Sequence, residues 1–311
     1  MAELELKMAT GKYWHTRPIM DKVVGSERVT FEHEDVPVII SAFRRMIRGL
    51  EFDVSEMALS TYLCARAHGI PITALPIFLV RAFHHGSIVY NTKSGITSPK
   101  DLEGKKVGLR GYTVTTGVWV RGILRSQYGV DLEKVTWALA GDEHVADYKA
   151  PSNVVPAPGD GDIGALLNAG ELDAAIGVFS GDDIAPLIPD AADAAAAAFK
   201  QNGIYPINHT LVVKNELLEA HPWLAQDLFA TFKAAKEHFL SHPSPAEDDS
   251  LPESIMRKAR DVVGDDPIPY GLEANRKALE AFIEFNVDQK VIPTKVDVEE
   301  VFEPSTLKLE A

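Results

Sequence analysis

Two apolar segments, "SIVY" at 87–90 and "HTLVV" at 209–213, bracket a central block with strand and helix signals of its own. This bracketing constrains the fold more than any other feature of the chain. A chain that leaves one lobe through the first segment and returns through the second turns the block between them into an inserted lobe. The expected division is therefore residues 1–90 with 206–311 as one discontinuous lobe and 91–205 as the other. Two connecting strands also imply a cleft and a hinge, expected near 90–93 and 205–209.

Within the outer block, "LELKMAT" alternates like a strand, 29–34 reads as a second, and "VIISAFRRMIRGL" places Ile39, Phe43, Met46, Ile47 and Leu50 on one helical face that stops near Gly49. "EFDVSEMALSTYLCARAHG" reads as a short strand, an N-cap at Ser55 and a helix ending at Gly69, and "PITALPIFLV" as the next strand. In the central block, a strand at 106–109 leads through a glycine turn to a helix containing "TGVWVRGIL", and further strand and helix signals follow. "DAADAAAAAFKQNG" is a helix rather than a low-complexity linker, because alanine is the best helix former and Gly203 supplies a stop. Alternation of strand and helix on this scale predicts an α/β protein with a largely parallel sheet.

Aspartate and glutamate number 45 against 31 lysines and arginines, a formal net charge of −14. Such a surface repels nucleic acid and anionic membranes, so an anionic ligand must be drawn in by a local basic pocket. The single cysteine, Cys64, falls where a helical register buries it as a small apolar residue. No apolar run reaches membrane-spanning length, and "MAELELKMAT" has no signal-peptide core, which predicts a cytoplasmic location.

"SPKDLEGKKVGLRGY" resembles the entry to the second lobe of type 2 periplasmic-binding-protein folds. More specific are "EFDVSEMALSTYL", "PIFLVRAFHHGSIVYN", "TGVWVRGIL", "GIYPINHTLVVKNEL" and "DPIPYGLEANRKALEAF", which together, and in order over nearly the whole chain, resemble the 4,5-dihydroxyphthalate decarboxylase family. The resemblance implies a binding-protein fold recruited for catalysis, converting 4,5-dihydroxyphthalate to protocatechuate and CO2. Two stretches depart from the family pattern: "DQKVIPTKV" stands where a glycine turn is expected, and 191–199 lacks the usual aromatics. The same fold also serves solute-binding proteins for aromatic or dicarboxylic acids, without turnover, and a lyase resembling chorismate dehydratase is a third reading. The thiamine-pyrimidine synthase branch is disfavoured because its cysteine cluster is missing here.

A hydroxylated aromatic carboxylate loses CO2 most readily once its ring carbon is protonated, since a para hydroxyl feeds electron density into the ring and loss of CO2 restores aromaticity. That chemistry needs a proton donor, an acceptor for the phenol and cations for two carboxylates; histidine suits the first two roles and arginine the third. Candidates stand where open α/β sheets place ligands, at strand ends. His85, His84, His209 and Glu56 are the catalytic candidates; neighbours on an extended chain face opposite ways, so only one of the adjacent pair, with His85 favoured, is expected to act as acid or base while the other holds the turn. His15, Arg17, Ser55, Arg81, Thr113, Thr115, Thr116 and Arg121 are the candidates for holding substrate, the three threonines at a helix start whose free amides attract an anion. The reaction requires no cofactor. A divalent metal held by His15, Glu56, His85 and His209 is the weaker alternative, and the expected partner is a small aromatic carboxylate, with a homodimer left open.

Overall fold

The computed structural model describes residues 4–242 and 251–311; residues 1–3, the start of the stretch read for a leader, lie outside the described residues. The chain forms two compact units: one comprises the chain up to Ala82 with Ile207–Glu280 and Val296–Ala311, the other Phe83–Pro206 with Ala281–Lys295.

The first unit is built on a five-stranded sheet in the order β2 (Val29–His33), β1 (Leu4–Ala9), β3 (Val54–Ala58), β11 (Ile207–Lys214), β4 (Ile72–Arg81). Strands β2 and β3 run parallel to β1, whereas β11 lies antiparallel between β3 and β4, so the sheet is mixed rather than largely parallel. Leu75, Ile77 and Leu79 alternate onto one face with Leu211 and Val213. There they meet Leu224, Leu228 and Phe232, spaced four apart along α8 (Leu224–Ser241). Each such side chain contributes roughly 1.5–3 kcal/mol by leaving water. Helices α2 (Ile39–Gly49), with Phe43, Met46 and Ile47 buried, and α3 (Leu59–Ala67) flank β3 in sequence. The left-handed cap of α2 is Leu50, at φ 47°, rather than the neighbouring Gly49. The unit also holds α1 (Arg17–Met20), α7 (Asn215–Ala220), α9 (Leu251–Val263) and α11 (Val298–Val301).

One local reading is corrected here. Ser55 is not a helix N-cap: it and Glu56 lie inside β3, and α3 starts only at Leu59. Backbone pairing on both edges decides this, with Met8 and Ala9 of β1 beside Val54 and Ser55, and β11 paired from Val54 to Ala58. The Ser55 hydroxyl instead donates to the Glu56 carbonyl at 2.9 Å.

The second unit carries a six-stranded sheet, ordered β10 (Ile184–Pro186), β5 (Ile88–Asn91), β9 (Ala174–Ile176), β6 (Lys106–Leu109), β7 (Thr136–Leu139), β8 (Val154–Pro156). Strand β5, read from sequence as the way out of the first lobe, pairs antiparallel with β9 and β10 and is part of this sheet. The three-residue strands β8 and β10 had no sequence signal. Val89, Ala138 and Ala175 pack with Leu166 and Leu167 of α5 (Ile163–Asn168). Around the sheet lie α4 (Thr115–Tyr128), α6 (Ala191–Asn202) and the part of α10 (Arg276–Asp288) from Ala281 onward. Gly122 of α4 has no room for a side chain, because a methyl group there would stand 2.1 Å from the Phe285 ring. Among the described residues no helix is long and apolar enough to cross a membrane.

Candidate active site

Glu56 points from the middle of β3 and is wholly buried. An isolated carboxylate in that position would be costly, and its partners offset the cost. Its Oε2 accepts the Gly11 amide at 2.7 Å, and its Oε1 accepts both the Tyr13 hydroxyl at 2.7 Å and His209 Nδ1 at 2.6 Å. Register produces the last contact. Glu56 sits opposite Leu211 on β11, and His209, two residues back, is its diagonal neighbour on the same face. The loop after β1 brings the other two donors, held by the Thr16 hydroxyl, which accepts the Tyr13 amide at 3.0 Å and donates to the Gly11 carbonyl at 2.7 Å. Glycine is required at position 11 because a methyl group there would lie 2.3 Å from the Tyr13 ring.

A carboxylate only accepts, so Nδ1 of His209 carries the proton and Nε2 is left for a ligand. The His209 side chain is 16% exposed, and the ring meets Phe43 edge-on at 5.0 Å. Burial first, then the charge of Glu56, drives the Tyr13 hydroxyl far above the ordinary tyrosine range, so it stays a donor. Together these groups make an oriented imidazole backed by a fixed anion, an arrangement suited to moving a proton.

His15 is enclosed beside this group, stacked on Tyr13 at 5.3 Å and edge-on to Phe239 at 6.1 Å. Neither of its ring nitrogens makes a hydrogen bond of normal geometry, and its stacking supports the Tyr13 ring. Burial pulls its pKa down from 6.5 to about 4, against the opposing pull of Glu56 and the Leu79 carbonyl and with a small push from Lys236. His15 therefore stays neutral in the folded protein while the unfolded chain takes up a proton below pH 6.5. Its contribution to stability is complete above pH 6.5 and is lost as the pH falls through about 4, a change of about 3 kcal/mol. Denaturant unfolding of wild type and His15→Phe at pH 7 and pH 4 is expected to show a smaller acid loss in the variant; equal losses would remove His15 from the account.

Arg17 opens α1 with its guanidinium 4.5 Å from the centre of the Trp14 ring. Arg81 closes β4, pairing with β11 at Ile207, and its Nη1 donates to Asn275 Oδ1 at 2.6 Å. Asn275 is fixed in turn by the carbonyls of Pro269 and Gly271.

In the second unit, the loop just ahead of the helix start predicted to attract an anion binds a carboxylate of the chain itself. The Glu143 carboxylate accepts the amides of Tyr112 at 2.5 Å and Thr113 at 3.0 Å, and the Thr113 hydroxyl at 2.5 Å. Thr115 and Thr116 begin α4 just beyond. Arg121 is fully buried and braces the same turn, with Nη2 donating to the Tyr112 carbonyl at 2.6 Å, Nε to Gln289 Oε1 at 2.7 Å, and the guanidinium lying 4.0 Å over the Tyr112 ring. The adjacent histidines lie between β4 and β5, outside either strand, and their rings make different contacts. His84 lies within its own turn, Nδ1 being 3.4 Å from Ser87 Oγ, while His85 Nε2 is 2.9 Å from Gln127 Oε1 near the far end of α4. Thr115 and Gln127 are twelve residues apart on that helix, ~18 Å at 1.5 Å per residue, so His85 does not join the threonines.

The four residues named as a metal set are divided between the units: His15, Glu56 and His209 lie in the first and His85 in the second. Among the described residues no group of three or more His, Cys, Asp or Glu side chains is placed to hold a metal ion. Sequence reasoning missed Tyr13 and Glu143. Tyr13 had a signal, since it stands two residues after a glycine that ends a strand, whereas Glu143, thirty residues from Thr113, had none.

Residues 51–246 match the family described as NMT1/THI5 like. The fold is similar to that of the periplasmic aliphatic sulphonate binding protein SsuA of Escherichia coli, with a TM-score of 0.56 and 12% identity over 99% of this chain and 100% of that one. These likenesses define a periplasmic-binding-protein-type α/β protein. A 4,5-dihydroxyphthalate decarboxylase of Comamonas testosteroni is 33% identical over 99% of each chain, and one of Pseudomonas putida is 36% identical over 57% of this chain and 71% of its own. The chain belongs to the 4,5-dihydroxyphthalate decarboxylase family.

Proposed function

We propose that the protein is a carboxy-lyase acting on a hydroxylated aromatic dicarboxylate, 4,5-dihydroxyphthalate, and releasing protocatechuate and CO2. The end-to-end likeness to a curated decarboxylase carries this reading, and the Glu56–His209 pair supplies a group able to do the chemistry. In the first step Nε2 of His209, having taken up a proton from solvent, gives it to the ring carbon that bears the departing carboxylate. A C–H bond forms there, and the electron pair comes from the ring, pushed by the hydroxyl para to that carbon. Glu56 holds the imidazolium through Nδ1 and compensates its charge. The C–C bond then breaks, its electrons return to the ring, CO2 leaves, and the second carboxylate remains on the product. Arg81, whose fork suits a carboxylate and which is tethered by Asn275 one strand from His209, is the proposed anchor for a carboxylate.

Incubating the purified protein with 4,5-dihydroxyphthalate should yield CO2 and protocatechuate in equal amounts. Saturable binding of phthalates and hydroxybenzoates with no product would instead mark a solute-binding protein.

A further inference from the structure

Each oxygen of the buried Glu56 carboxylate already has a donor, the Gly11 amide on Oε2 and His209 Nδ1 on Oε1. The Tyr13 hydroxyl adds a third, and it lands on Oε1, the oxygen that holds the imidazole, rather than on the less occupied Oε2. An ionised carboxylate offers about two acceptor positions per oxygen, so the two contacts, at 2.7 and 2.6 Å, fill Oε1. Three separate contacts deliver the phenol ring to that place. The Thr16 hydroxyl accepts the Tyr13 amide at 3.0 Å, the His15 ring stacks on the phenol within 9° of parallel, and Gly11 alone leaves the space the ring occupies. Every donor that a carboxylate accepts stabilises its charge and makes it a weaker acceptor for the next. Tyr13 is only 8% exposed and Glu56 not at all, so little water screens the competition.

We propose that Tyr13 is a positioning residue that acts through Glu56: by sharing Oε1 with His209 it limits how tightly the carboxylate holds the Nδ1 proton, and so leaves the imidazolium readier to give up the proton on Nε2. The catalytic consequence rests on the reading of His209 as proton donor, whereas the competition for Oε1 is measurable without turnover. The charged and titratable groups around the pair stay in place when only the hydroxyl is changed. They are His15 in the same loop, Lys236 of α8, which acts on His15, Arg81 at the end of β4, and His33 of β2, held at the Thr10 carbonyl. Helix α2 presents Phe43 to the His209 ring and β4 pairs Val80 with it, neither of which titrates.

Proton NMR of the His209 Nδ1–H, assigned by its loss in His209→Asn, tests the proposal on wild type, Tyr13→Phe and a protein carrying 3-fluorotyrosine in place of Tyr13. Losing the hydroxyl should move the signal downfield, as the bond to Glu56 tightens. The fluorinated phenol is a more acidic donor that competes harder, and should move it upfield. The alkaline limb of kcat against pH should rise by roughly 0.5–1 pH unit in Tyr13→Phe, the effect of one hydrogen bond, and fall with the fluorinated side chain. The proposal is overturned if the signal stays in place in Tyr13→Phe, or if both replacements move it the same way, as a change of packing would. Should Tyr13→Phe fail to fold, the fluorinated protein decides alone: an upfield shift supports the proposal and its absence overturns it. Signals that move as expected beside a kcat profile that does not would uphold the competition and overturn His209 as the donor.

Discussion

Replacing His209 by asparagine should lower kcat by roughly 10²- to 10⁴-fold and change substrate affinity little. Asparagine is the informative substitution because its amide can still donate to Glu56 from near the place of Nδ1, so the buried carboxylate keeps a partner. What disappears is the Nε2 atom, and with it the proton that reaches the ring. Single-turnover measurements alongside equilibrium binding separate the two effects. Turnover within about threefold of wild type would exclude His209 as the donor and return the role to another histidine.

Glu56→Gln should lower both activity and stability. Three donors converge on this carboxylate: the Gly11 amide, the Tyr13 hydroxyl and His209 Nδ1. A glutamine offers an acceptor on one side only and turns an N–H group toward a donor on the other. One buried donor is then left unsatisfied, at about 1–3 kcal/mol. The imidazole also loses the anion that holds its tautomer and balances its charge, so kcat should fall by roughly 10²-fold or more. Tyr13→Phe provides the control, since it removes one of the three donors and leaves the His209 contact in place. Denaturation midpoints and kcat for both variants test the argument. An unchanged kcat in a folded Glu56→Gln protein would reduce the cluster to a structural one.

The strand and helix pattern was readable because the two periods differ and the breaks carry glycine or proline. Strand 106–109 and the alanine helix stopping at Gly203 follow from local chemistry alone. Local chemistry misled at Ser55, where a serine before an apolar run looks like a cap and only pairing with β1 and β11 makes it a strand. The histidine pair stands in the turn between β4 and β5, where His85 Nε2 faces Gln127 and His84 lies against Ser87, contacts that no local pattern announces. Glu56 and His209 were both singled out from sequence, but their contact depends on the register of β11, which no motif encodes. Glu143 was invisible for the same reason, because its partners are fixed by the path of a loop.

The position of β11 has a consequence for how the molecule is made. The strand lies between β3 and β4 yet is reached only after the whole central block, and Glu56 and His209 are 153 residues apart. At a synthesis rate of roughly 5–20 residues per second, the ribosome needs about 8–30 s after Glu56 to produce its partner. Throughout that interval β3 and β4 lack the strand that joins them, so each keeps an open backbone edge, and a glutamate destined for burial has no imidazole beside it. Completing the first sheet is thus a late, long-range event that closes two edges and assembles the proposed acid–base pair in the same step. A nascent chain stopped short of residue 207 would carry every other strand of that sheet and still have neither a continuous ladder nor the pair.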